Sequence, residues 1–259
     1  MIHWLDSDAI KFNAACRADG VTLTSTQFNA INLLVKELKQ NEIWNSMKAI
    51  YPFVGSSAAS HKFNLKDPRN LDAAFRLTFV NSPTHSSNGV DWNGTNQYAN
   101  TYLNPSSHLV ASSEHLSYYT RTNNVNTTTD VEMGSLNGSN LSHLLLRRLT
   151  SNNYGVTIGT VTAISTTTDC RGLTTGSRTS QTSLKLYKNG LSISSNTTSD
   201  FTRVNAVIYI GARNDNGTPA GLTTKQCSFA SIGTGLTDVQ CAALYSTVQR
   251  FQTILGRQV

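Results

Sequence analysis

Charge is scarce in this chain. Only 14% of its 259 residues are charged, and glutamate occurs just four times, at Glu37, Glu42, Glu114 and Glu132. The net charge of +6 therefore reflects missing acids more than dense bases. The basic residues are scattered, with Arg147-Arg148 the lone adjacent pair. A nucleic-acid interface would concentrate them in a stripe with aromatic platforms, so no nucleic-acid partner is expected. Long apolar runs are also missing. Nothing approaches the ~20 apolar residues of a membrane span, and Met1–Asp6 lacks the basic start and apolar core of an export leader. Cysteine is limited to Cys16, Cys170, Cys227 and Cys241, with no CxxC pair and no metal-ligand spacing. They are expected to be free thiols in the core of a chain folded in a reducing compartment.

The motifs of catalysis are absent too. A sandwich glycosidase places three acids as Glu-x-Asp-x-x-Glu on one strand, where alternation aims all three at one face. The nearest run, Asp130-Val131-Glu132, has the right parity but no third acid, and is expected to be two charges at a loop edge. There is no Gly-x-Ser-x-Gly elbow, no phosphate loop and no dinucleotide fingerprint, and none of the six histidines is paired at metal-ligand spacing. The expectation is a protein that is not an enzyme.

What is abundant is Ser, Thr and Asn, about a third of the chain against more even usage in ordinary globular proteins. Such a surface is neutral and hydrogen-bonding, and it suits exposed sheet positions and Asn- and Ser-rich turns. Residues 1 to about 45 read as helical. Thr24-Ser25-Thr26-Gln27 is a capping box, followed by Phe28, Ile31, Leu34, Val35 and Leu38 at helical spacing, with Asn32, Lys36, Lys39 and Gln40 on the solvated side. Pro52 then prevents a long helix. From Phe75 onward the pattern is strands: Phe75–Phe79, Thr95–Thr101, Leu116–Thr120, Leu141–Leu149, Tyr154–Ile158, Leu184–Tyr187 and Val207–Ile210. Asn93-Gly94, Asn137-Gly138, Asn189-Gly190 and Asn216-Gly217 punctuate them. Many short strands with regular turns and no intervening long helix predict a sandwich or barrel rather than a parallel sheet. A second capping box, Thr237-Asp238-Val239-Gln240, opens a closing helix with Cys241, Leu244, Val248 and Phe251 on one stripe and Gly256 as its stop.

Three groups of residues invite a functional reading. Asp91, Trp92, Asn93 and Tyr98 mix aromatic rings, amides and a carboxylate, as a glycan site does; the same segment also reads as a capped hairpin with Trp92 turned inward. Asn214, Asp215 and Asn216 supply oxygens that could hold a Ca²⁺ ion, or form a plain Asn-Gly turn. No other cofactor is suggested. Trp44, Met47, Ile50, Tyr51 and Phe53 form a dense apolar cluster, an assembly surface if exposed and a domain cap if buried. The Asn-x-Ser/Thr triplets at Asn93, Asn126 and Asn196 follow from composition alone.

The final third, with Tyr187-Lys188-Asn189-Gly190, Ile208-Tyr209-Ile210-Gly211-Ala212 and Phe229-Ala230-Ser231-Ile232-Gly233 before Leu236-Thr237-Asp238, resembles the end of laminin-G-like, concanavalin A-like jelly rolls. Ile43-Trp44, Ala49–Gly55, His61–Pro68 and Leu255–Val259 resemble more narrowly a group of proteins of tailed phages of Bacteroidota-type hosts. The resemblance implies a mainly β fold: an antiparallel jelly-roll β-sandwich over residues 55–259, ending in a helix, behind an N-terminal helical segment over residues 1–54. It implies a non-enzymatic virion protein, a head fibre, decoration or tail component, made in the host cytoplasm without a signal peptide. Its partners would be other virion proteins, further copies of itself and a host-surface glycan. A free-standing carbohydrate-binding module is the alternative, and a glycan-cleaving enzyme the remote one.

Overall fold

The computed structural model describes residues 5–125, 129–148 and 151–259; His3, Asn126 and Leu149 lie outside them. Helices α1 (Ser7–Ala18) and α2 (Ser25–Gln40) come first. The strands are β1 (Met47–Tyr51), β2 (Thr78–Val80), β3 (Thr84–Ser86), β4 (Gly89–Asp91), β5 (Tyr98–Asn100), β6 (Glu114–Thr120), β7 (Met133–Asn137), β8 (Asn140–Leu145), β9 (Asn153–Gly159) and β10 (Val161–Thr166). They continue with β11 (Gly172–Ser180), β12 (Ser183–Lys188), β13 (Leu191–Asn196), β14 (Tyr209–Ile210), β15 (Arg213–Asp215), β16 (Thr218–Ala220) and β17 (Phe229–Gly233). Short helices α3 (Ala58–His61) and α4 (Pro105–His108) interrupt them, and α5 (Asp238–Ile254) follows.

The strands form two facing sheets. One runs β1-β17-β6-β11-β12-β13, the other β10-β9-β8-β7-β14-β5-β2 with β15 and β16 attached. All pairings are antiparallel except β15 with β7. The β3–β4 hairpin bridges to the first sheet through Val90 and Cys227. Period-two alternation sends Leu116, Tyr118, Leu184, Leu186, Ala230 and Ile232 inward to meet Met133, Leu144, Val156, Ile158, Ile208 and Ile210 of the second sheet.

The other side of the first sheet carries Met47, Ile50, Tyr119, Leu173, Tyr187 and Phe229, and helices α1, α2 and α5 close over it. Both capping boxes form as read, Thr24 with Gln27 and Thr237 with Gln240. The stripe of α5 is buried. Asn32 is a correction: it is buried, and its Oδ1 accepts the Asp6 N–H at 2.7 Å. Asn189 and Gly190, with φ of 49° and 77°, make the two-residue turn between β12 and β13 that left-handed backbone permits.

Two expectations change here. The helical segment ends before residue 54, because Met47–Tyr51 is a strand paired with β17. The Trp44–Phe53 cluster is core, with Trp44, Met47, Ile50, Tyr51 and Phe53 all buried. Trp44, Met47 and Ile50 face the helices, whereas Tyr51 and Phe53 enter the sandwich. The segment caps the domain and offers no assembly surface.

Candidate site on the uncovered sheet face

Among the described residues, the long helices roof the six-stranded sheet alone. On the outward face of the nine-stranded sheet, register places one residue per strand in a continuous row. Thr162 pairs with Thr157, Thr157 with His143, His143 with Gly134, Gly134 with Tyr209, Tyr209 with Asn100 and Asn100 with Thr78. Apolar neighbours fix that parity: Val156 and Ile158 point inward around Thr157, and Ile208 and Ile210 around Tyr209. Seven strands at 4.7–4.9 Å spacing give the row a length of roughly 29 Å.

Its centre is aromatic. The ring of Tyr98 stacks on that of Tyr209 with centroids 4.5 Å apart and planes at 24°. Tyr209 is 7% exposed and Tyr98 half-buried above it, so Tyr98 offers its outer face. Burial, then the neighbouring Tyr98 and Tyr102 hydroxyls, push the Tyr209 phenol above its ordinary pKa. The Tyr102 hydroxyl lies 2.9 Å from Thr78 Oγ1, and its backbone N–H donates to Asn100 Oδ1 at 2.9 Å. Beside this cluster, Gly134 leaves the row without a side chain. A Cβ there, at φ 155°, would stand 2.3 Å from His143 Cβ and 2.4 Å from the Ser142 carbonyl oxygen. His143 is 5% exposed, and its Nδ1 has no hydrogen-bond partner among the described residues. Burial, and then Arg213 and Arg148, push its pKa down to about 3, so the imidazole is neutral at physiological pH. A rigid face with a half-buried ring, amides, hydroxyls and an unused ring nitrogen can stack a flat apolar patch and hydrogen-bond hydroxyls around it.

Of the residues singled out in the sequence, Tyr98 alone belongs to this site. Trp92 is 4% exposed and packs in the sandwich core, where its Nε1–H donates to the Tyr118 hydroxyl at 3.1 Å. It cannot serve as a sugar platform. Asp91 accepts the Gln226 amide on both oxygens, at 2.9 and 3.0 Å. Asn93 spends its Oδ1 on the Thr95 and Asn96 N–H groups of its own turn. The Ca²⁺ reading of Asn214, Asp215 and Asn216 also fails on geometry. The Arg213 guanidinium grips both Asp215 oxygens, Asn214 Oδ1 accepts the Gly217 N–H, and Asn216 Oδ1 accepts the Asn137 amide. A cation already fills the place where Ca²⁺ would sit.

Asp130 and Glu132 are not loop-edge charges, since both are fully buried around Lys225. Glu132 forms an ion pair with Lys225 Nζ at 3.1 Å and accepts from Thr223 Oγ1 at 3.0 Å and from the Leu146 N–H at 2.6 Å. Its carboxylate is enclosed and occupied. The four cysteines are buried and unpaired. Tyr209, Tyr102, Asn100 and His143 were not singled out in the sequence. The parity of Ile208-Tyr209-Ile210 was the available signal.

No family model matches the chain, and no curated protein matches it. Solved structures do. Domain 4 of AbnA, an extracellular arabinanase of family GH43 from Geobacillus stearothermophilus solved with arabinotriose, superimposes with a TM-score of 0.50 at 14% identity, over 77% of this chain and 98% of that one. A Trypanosoma rangeli sialidase mutant displaying trans-sialidase activity gives 0.54 at 10% identity, over 85% of this chain but only 39% of the sialidase. The fold is a jelly-roll β-sandwich. It is mainly antiparallel β with N-terminal and C-terminal helices, and neither neighbour is a virion protein.

Proposed function

We propose that the protein is a non-enzymatic carbohydrate-binding module that holds glycan on the uncovered face of its nine-stranded sheet. The observation that carries this is the Tyr98 ring stacked on Tyr209 beside Asn100 and Tyr102, on the face that the long helices leave free. The superposition with an arabinanase domain solved with arabinotriose supports the same ligand class. Enclosure of Glu132 and Asp130 around Lys225 supports binding without cleavage.

The particle-component reading keeps its basis in the resemblance of Ile43-Trp44, Ala49–Gly55, His61–Pro68 and Leu255–Val259. With the Trp44–Phe53 cluster in the core, its contacts to other virion proteins or further copies would have to use other surfaces. The two readings join in a module that presents a host-surface glycan site on a particle.

The test is affinity electrophoresis and calorimetry of the full chain against a broad panel of plant, bacterial and animal glycans. Loss of one ring stack is expected to weaken binding about tenfold in Tyr98→Ala, with far-UV circular dichroism unchanged. Full retention of binding in Tyr98→Ala, or no binding to any glycan, would overturn the proposal.

A further inference from the structure

Beside the tyrosines lies a set of polar side chains with hydrogen-bonding capacity to spare. His143 leaves its buried Nδ1 unbonded among the described residues. Gly134, next in the row, puts no side chain between His143 and the strands beyond, and Arg213 stands opposite Gly134 on its other side. Arg213 uses Nε and Nη2 on Asp215 and leaves Nη1 without a partner among the described residues. Arg148, half-buried, gives one long bond from Nε to the Asp130 carbonyl at 3.4 Å and forms no ion pair among the described residues. His143 and Arg213, His143 and Arg148, and Arg148 and Arg213 each lie within electrostatic reach. The acids nearby are committed: Asp215 to Arg213, Glu132 and Asp130 to Lys225. The charges that bear on the His143 ring are both positive.

We infer that His143, Arg148 and Arg213 form an anion subsite, and that the glycan taken by this face carries an anionic substituent, a carboxylate or a sulfate ester. The inference rests on the glycan-binding reading above. The spare Arg213 donor and the unbonded His143 nitrogen, set on the two sides of Gly134, with Arg148 near enough to bear on both, match an acceptor with two or three oxygens, and charge-assisted bonds from a guanidinium are about twice as strong as neutral ones. A hydroxyl could satisfy His143 but would leave both guanidinium groups with spare donors. Tyr98 and Tyr209 would then stack the ring that bears the anion, or its neighbour in the chain.

The experiment measures binding of three probes to the full chain: an oligogalacturonate, the same chain with its carboxyls reduced to CH₂OH, and a sulfated galactan oligosaccharide. One of the two anionic probes is expected to bind at least about tenfold tighter than the reduced chain, and which one identifies the substituent. That preference should shrink toward one in Arg148→Gln and in about 0.5 M NaCl, where surface charges are screened. His143→Leu, close in volume, should weaken the anionic probe without unfolding the protein, as thermal melting would confirm. Equal binding of reduced and anionic chains, still lost in Tyr98→Ala, would overturn the anion subsite and leave the glycan face standing. No binding of any probe or panel glycan would overturn both.

Discussion

Replacing Arg257 with alanine should cost more stability than any other change outside the sandwich core. The residue lies just past α5 and is 1% exposed. Its guanidinium donates from Nη2 to Pro52 O at 2.7 Å and Ser228 O at 2.9 Å, from Nη1 to Phe53 O at 2.8 Å and Ser87 O at 3.2 Å, and from Nε to Gln252. It also lies 5.3 Å from the Phe251 ring centroid. Three separate segments, the end of β1, the β3–β4 hairpin and the approach to β17, thus meet on one cation. Hydrogen bonds to charged groups contribute about 1.5–3 kcal/mol each when taken singly. The sum is reduced by several kcal/mol of desolvation, because the fork is ringed by carbonyls and pairs with no carboxylate among the described residues. The net cost of Arg257→Ala is therefore about 3–5 kcal/mol, in the range for breaking a buried charged network. At ~2–4 °C per kcal/mol for a chain of this size, that is a fall of roughly 6–20 °C in Tm. Arg257→Lys should recover less than half, because an ammonium is a point charge and cannot span both sides of the fork. Urea denaturation with calorimetry measures both variants. A loss under about 1 kcal/mol for alanine, or a lysine variant as stable as the wild type, would refute the fork argument.

Trp92→Ala should act as a core mutation, costing about 3–5 kcal/mol and leaving Tyr118 without a donor; a stable protein that has lost only glycan binding would return Trp92 to the site. Burial pushes the Glu114 carboxyl up to about 7, against the opposing pull of the Ser142 hydroxyl and of Arg178 and Arg203. With the folded pKa raised, the native state binds the extra proton between about pH 4.5 and 7, so this group's stabilisation is present at low pH and lost as pH rises through 7. Glu114→Gln should therefore be more stable than wild type at pH 8, by about 1–3 kcal/mol, and nearly equal at pH 5. Comparing the two proteins cancels the opposite slope of buried His61, His115 and His143 and half-buried His85, whose pKa values are all lowered. A difference independent of pH would refute the assignment.

The helices were legible because their signals are local. Thr24 with Gln27 and Thr237 with Gln240 need four consecutive residues, and both boxes formed. The longest strand was not legible. Gly172–Ser180 contains one large apolar residue, Leu173, yet its first seven residues are buried. Its inward and outward hydroxyls are satisfied by distant partners, Thr174 by Tyr154 and Ser177 by the Leu236 carbonyl, so no hydrophobic period marks it. Phe75 was expected to open a strand, but it takes a left-handed conformation, φ 59°, after a 3-10 turn, and the strand starts at Thr78. The candidate site was illegible for a different reason. Its row gathers residues from Thr78 to Tyr209, one from each strand, and only pairing register aligns them. Trp92, the most conspicuous ring in the sequence segment, was claimed by the core, where an indole buries more apolar area than a phenol.

The pairing of β1 with β17 also dictates how the chain must be made. Met47 waits for Gly233, and at 5–20 residues per second a ribosome takes roughly 10–40 s to deliver that partner. Until then Ile50, Tyr51 and Phe53 have no sheet neighbour, Ile50 also lacks the α5 roof, and the strand is an unpaired apolar edge open to other nascent chains. Synthesis rate and chaperone supply should therefore govern soluble yield more than the final stability does, and slowing translation early in the chain should do less good than holding the N-terminal third until the last strand emerges.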